Sequence, residues 1–139
     1  MKKITVFTSL FILFLTAASA NAELVIIVNK ANASNIDAKS VQRIYLGKEK
    51  KFSNGNVVNP INFSSGHPLR SDFDEQVLGR SSSQVSAYWS KLVFTGKGVP
   101  PAELNDTAAI IAAIESDANA IAYLDSADAG DTVSIIKLN

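Results

Sequence analysis

Six consecutive residues, Leu24-Val25-Ile26-Ile27-Val28-Asn29, form a nearly continuous β-branched run. Such a run reads as a buried strand, and a strand without a polar face belongs in a sheet covered on both sides. The rest of the chain alternates helical and strand patterns. Asp37 is placed to open a helix through Leu46, with Val41, Ile44 and Tyr45 on one face and Gly47 at its C-terminal cap. Ser53-Asn54-Gly55-Asn56 is a turn signal, and Val57 to Phe63 reads as a second strand, with Pro60 marking an edge or a bulge.

A helix over Leu69 to Leu78 is expected to bury Leu69, Phe73, Val77 and Leu78, with Gly79 ending it. Ser81-Ser82-Ser83 caps a further helix through Phe94, whose apolar members are Val85, Tyr88, Trp89, Leu92 and Val93. Tyr88 and Trp89 are adjacent and cannot share one helical face. One is expected in the core and the other at the surface, where it would mark a partner contact. Asn105 or Asp106 caps a helix covering Ala108 to Ile114, Ala120 to Leu124 is a strand, and Thr132 to Leu138 closes the chain. This alternation points to an α/β sheet layered with helices, with strand order left open and a return of the final segment beside the first strand as one arrangement.

The N-terminus has the pattern of a secretory leader. Lys2 and Lys3 precede a nearly unbroken apolar and small-residue run, and Ala20-Asn21-Ala22 is an A-x-A cleavage site. Cleavage is expected after Ala22, with Ala18-Ser19-Ala20 as the alternative, leaving a single domain over 23–139. Removing Lys2 and Lys3 leaves 11 basic against 13 acidic residues, a net charge of −2. That balance argues against non-specific nucleic-acid binding. The 139 residues include no cysteine, so neither lipidation at the cut nor a disulfide is available. A soluble periplasmic protein is the expectation.

One stretch carries candidate chemistry: Asn62-Phe63-Ser64-Ser65-Gly66-His67-Pro68-Leu69-Arg70. It reads as a strand end, a small loop and a helix start. A helix start leaves backbone N–H groups unpaired and presents the positive end of the helix dipole. Ser64 and Ser65 add hydroxyls, Gly66 permits close backbone approach, Pro68 suits the first helical position and Arg70 supplies a guanidinium fork. The same residues also describe an ordinary capped loop with a solvated arginine. Arg70 in a first helical turn opposes the dipole, which calls for an anion or for Asp72 or Asp74 to offset it.

These landmarks fall in a familiar order. Val25 to Asn29 followed by Val41-Gln42-Arg43-Ile44-Tyr45-Leu46-Gly47-Lys48 resembles the "strand, helix, I-F-x-G-K" opening of the phosphate-binding subunits of bacterial phosphate ABC transporters and their small PBP-like relatives. Phe52-Ser53-Asn54-Gly55 is similar to their W-x-[DN]-G turn, and Val57 to Ile61 to the next strand. Ser65-Gly66-His67 is similar to their S-G-T loop, and Ala120-Ile121-Ala122-Tyr123 to their G-A-I-G-Y strand. Phe73, Leu78, Tyr88-Trp89 and Phe94-Thr95-Gly96-Lys97-Gly98 resemble the small relatives. The departures are His67 for threonine, Phe52 for tryptophan, and Asn119 and Ala122 for two glycines.

The resemblance covers the whole mature chain and implies one lobe of a type II periplasmic-binding-protein fold, a mixed sheet flanked by helices. Full-length members clasp phosphate between two lobes. The implied function is binding of phosphate or a related oxyanion by Ser64, Ser65, Gly66, His67 and Arg70, without catalysis. The alternative is a ligand-free interaction module that docks on a transporter, a sensor protein or a second copy. No cofactor is expected. His67, the only histidine, lacks companions for a zinc site. Thr95-Gly96-Lys97-Gly98 lacks the spacing of a Walker A loop and reads as a helix-ending turn. Ser64 and Ser65 have no evident base–acid partners, so an enzyme is not expected.

Overall fold

A computed structural model describes residues 23–138. The expected leader, 1–22, lies outside the described residues. The strands are β1 (Leu24–Asn29), β2 (Asn59–Phe63), β3 (Ala102–Leu104), β4 (Ala120–Asp125) and β5 (Val133–Ile136). They form one mixed sheet in the order β3-β2-β4-β1-β5. β2 runs parallel to β3 and β4, whereas β1 is antiparallel to both neighbours, with Ile26 opposite Tyr123 and Ile27 opposite Ile135. Val25 to Val28 and Ala120 to Leu124 are all buried, as strands without a polar face require.

Helices α1 (Ala38–Tyr45), α2 (Pro68–Phe73), α3 (Ser82–Phe94) and α4 (Thr107–Ser116) layer this sheet. α2 packs across β1, β2 and β4, and α4 against β4, β1 and β5. The caps are local and sequence-encoded. Asp37 accepts from Ser40 N at 2.7 Å and Asp106 from Ala109 N at 2.8 Å, each satisfying an orphan donor of the first turn. Ser81 and Gln84 form a reciprocal capping box at α3.

Three expectations need correction. β2 begins at Asn59, and Val57 joins only an isolated bridge to Lys51. β2 also lies inside the sheet, although Pro60 suggested an edge or a bulge. Asn59 N donates to Asn119 O, so the nitrogen of Pro60 faces the opposite side, where pairing to β3 starts only at Ile61. The proline therefore interrupts no ladder bond.

The helix expected over Leu69–Leu78 is α-helical only to Phe73 and continues as a π turn, Asp74–Leu78. The wider turn changes the phase of the buried face. Asp74 is buried, and Val77 is only partly so. Gly79, at φ +65°, closes the segment.

The start and finish of the described chain meet. β5 returns beside β1, and Glu23 and Lys137 approach to 3.9 Å.

Candidate functional site

The Ser64–His67 segment leaves the end of β2 as a tight turn. His67 N donates to Ser64 O at 3.1 Å, and Gly66, at φ +90°, takes the left-handed position that such a turn requires. The turn is tied to the sheet margin: Ser64 N donates to Leu104 O at 2.9 Å, and the Ser64 hydroxyl to the Asn105 side chain. His67 is the N-cap of α2. Its Nδ1 accepts from Leu69 N at 3.2 Å, while its ring stacks on Phe63 at 4.1 Å between centroids.

These contacts define which donors remain. Pro68 has no N–H, and that of Leu69 is engaged by His67. Ser65 and Gly66 are exposed, and their N–H groups make no hydrogen bond to another described residue. The Ser65 hydroxyl stands beside them in sequence.

Arg70 occupies a different position from a solvated arginine. It is 7% exposed. Its Nη1 donates to Phe63 O at 2.8 Å and to Glu103 Oε1 at 3.0 Å, and its Nε to Asp74 Oδ2 at 3.3 Å. Of the two carboxylates expected to offset it, Asp74 does so; the second partner is Glu103 on β3 rather than Asp72. Arg70 thus fixes the carbonyl immediately before Ser64 and has its charge matched twice. Asp74 Oδ2 also accepts from Ser82 Oγ at 2.8 Å, whereas Asp74 Oδ1 is buried without a partner. Burial pushes this carboxyl above the usual range, with the Ser82 hydroxyl and Arg70 opposing the rise.

An aromatic cluster stiffens the strand end. Phe73 and Tyr123 stack at 4.0 Å, and Tyr45 meets Phe73 edge-on at 4.6 Å. The Tyr45 hydroxyl is shared between Ile61 O at 2.7 Å and Ile121 O at 3.1 Å, bridging β2 to β4. The Tyr123 hydroxyl donates to Asn62 Oδ1 and accepts from Phe63 N at 3.3 Å. Burial pushes both phenols up, so neither ionises in the physiological range.

The glycines in the two outlying motifs serve packing. A Cβ on Gly47 would lie 2.8 Å from Trp89 Cη2, and one on Gly98 would lie 3.2 Å from Trp89 Cζ3. Thr95 to Lys97 end α3, with Lys97 N donating to Leu92 O at 2.8 Å. Trp89 is the core member of the aromatic pair. Tyr88 is half-buried, and its hydroxyl donates to Leu46 O. The exposed aromatic is instead Phe94, at 93%. Sequence reasoning offered Asp74 as a partner for Arg70 and missed Glu103, which reaches Arg70 from 33 residues further along the chain. Among the described residues, no group of three or more His, Cys, Asp or Glu is placed to hold a metal.

No protein-family model matches the chain, and no curated protein matches it. Solved structures do. The chain is similar to an ABC-type phosphate transport receptor from Vibrio cholerae, with TM-score 0.66 and 16% identity over 84% of this chain and 46% of that one. It is similar to PstS from Borrelia burgdorferi, with TM-score 0.65 and 13% identity over 85% and 47% of the two chains. A third likeness is to a chain from Clostridium perfringens, solved with bound phosphate and named as a phosphate ABC transporter substrate-binding protein. There the TM-score is 0.66 and the identity 18%, over 84% and 45%.

At these identities the likeness shows the fold. It is the mixed α/β fold of PstS-like periplasmic binding proteins. The chain spans slightly under half the length of each of these structures, as the single-lobe reading implies.

Proposed function

We propose that this protein is an exported, solute-binding-like protein that takes phosphate or a related oxyanion at the Ser64–His67 turn, without catalysis. The observation that carries this reading is the pair of exposed N–H groups at Ser65 and Gly66 on a turn held from several sides. Two adjacent N–H groups beside a hydroxyl form a concavity for an anion. Arg70 acts as organiser, fixing the Phe63 carbonyl, and His67 shapes the turn through its cap. The bound phosphate in the Clostridium perfringens structure supports the ligand class. An ABC-type transporter is the partner this reading implies.

Titration calorimetry of the phosphate-stripped protein tests it, with sulfate for comparison. Saturable binding that weakens in Ser65→Ala and is lost in Gly66→Pro is the expected result; Pro removes the Gly66 N–H and cannot adopt φ +90°. Absence of heat, with a melting temperature unmoved by high phosphate, rejects the reading. A second reading, an interaction module, is favoured by one observation: Phe94 and Val99 are 93% and 87% exposed.

A further inference from the structure

Large apolar side chains gather outside the core where α3 ends. Val93 and Phe94 point into solvent, as do Val99 in the following loop and Val57 after the Ser53–Asn56 turn. Two clefts, of about 770 and 490 Å³, share Trp89, Val93 and Pro101 as common lining. They are therefore neighbours, with Val93 between them.

The clefts differ in charge. The larger is lined by Lys50 and Lys97, and neither is ion-paired among the described residues; its one carboxylate, Glu49, is engaged by Arg43 at 3.4 Å. The smaller is lined by Arg70 and Glu103. Since Arg70 is matched by both Asp74 and Glu103, that cluster carries one excess negative charge when both carboxyls are ionised. Phe94 stands on this negative side. One surface thus presents a positive, mostly apolar hollow on one side of Val93, and a protruding phenyl beside a carboxylate on the other.

Such a surface is complementary to itself. A two-fold axis lying in the contact plane at Val93 exchanges its two sides, so each hollow meets the other copy's protrusion. We propose that this face is a self-association surface for a second copy of the chain. Phe94 of each copy enters the larger cleft of the other, floored by Trp89, while Glu103 approaches Lys50 and Lys97 of the partner subunit. Val93 at the axis packs on its own counterpart. Apolar burial supplies the affinity, and the charges set the register. The proposal holds whether or not the Ser64–His67 turn binds an anion.

The chain has no cysteine, which permits a direct test. The processed full-length protein is followed by sedimentation across concentration, together with Val93→Cys under mild oxidation. A concentration-dependent dimer is expected. In Phe94→Asp it should weaken roughly tenfold or more. Because Phe94 is solvent-exposed, its melting temperature as a monomer should not change. Lys97→Glu should weaken the dimer, and salt should weaken the wild type. Val93→Cys should cross-link as a dimer much faster than Asp128→Cys, on the turn after β4. A monomer at every concentration, a dimer indifferent to Phe94→Asp, or equal cross-linking at both cysteines overturns the proposal.

Discussion

The indole of Trp89 occupies the space that a side chain on Gly47 would need, with its Cη2 2.8 Å from the position of a Cβ. Gly47 is also at φ +71°, so the glycine is required twice, for its backbone conformation and for contact with the ring. Gly47→Ala is therefore expected to destabilise the fold by about 2 kcal/mol or more, read by urea unfolding. Gly98→Ala meets the same ring at 3.2 Å and should cost less. Gly55→Ala, at φ +87° with nothing nearby, should cost only about 1–2 kcal/mol for its backbone. Equal losses at Gly47 and Gly55 would show that the Trp89 contact contributes nothing.

Asp74 makes stability depend on pH. Burial raises its carboxyl in the folded state, so the fold binds this proton more tightly than the open chain does. Its contribution is full below the ordinary aspartate range and is lost as pH rises from that range through the raised value. Asp74→Asn keeps an acceptor for Ser82 and Arg70 while removing a buried carboxylate whose Oδ1 has no partner. It should stay within about 1 kcal/mol of wild type at neutral pH and flatten this part of the profile. Melting temperatures measured from about pH 2.5 upward, a range that spans the ordinary aspartate titration near ~3.9, would decide; an unchanged slope in the variant would sink the assignment.

The two acidic partners of Arg70 should respond unequally to its removal. Glu103 is half-exposed, and Glu103→Ala should cost about 1 kcal/mol or less. Arg70→Ala leaves Asp74 buried without its cation and frees the Phe63 carbonyl, so about 3 kcal/mol is expected at neutral pH. That loss should shrink in mild acid, where Asp74 takes up a proton. Chemical denaturation at two pH values reads the difference. Comparable losses in the two variants would contradict the internal role of Arg70.

Tyr123→Phe should cost about 1–3 kcal/mol, because it leaves Asn62 Oδ1 and Phe63 N without their shared partner inside the protein. It should also loosen the strand end that carries the turn. Amide exchange at Ser64 to Gly66 is expected to quicken more than exchange at Ile26 or Ile27 in β1. Uniform acceleration would mean that the hydroxyl stabilises the whole sheet rather than this margin.

Much of the framework was legible because its signals are local. β1 announced itself by six residues without a polar face, and α1 by Asp37 in front of an apolar stripe ending at Gly47. The unread parts depend on partners distant along the chain. β3 is three residues long beside two prolines, and exists because β2 offers an unpaired margin from Ile61 onward. The π turn shifts the phase of the residues that follow Asp74, so a straight helical wheel placed Val77 deeper in the core than it lies. Val93 continues the stripe of Val85 and Trp89, yet sits one turn beyond the elements that cover them, and this leaves it in water.

The candidate turn was legible in kind, since serine, glycine and proline before a helix identify a strand-to-helix bend. The division of labour within it was not. Whether the Ser64 hydroxyl faces a ligand or Asn105 depends on β3 and its continuation, some forty residues later.

The meeting of Glu23 and Lys137 has a topological consequence. A segment whose described ends lie side by side, on the antiparallel pair β1 and β5, has the geometry of a unit that another chain can accommodate as an insertion. Insertion at a single surface loop suits such a segment, since departure and return lie on neighbouring strands and the side chains of Glu23 and Lys137 reach each other. The same architecture that stands here over residues 23–138 is thus suited to interrupting another domain without deforming either.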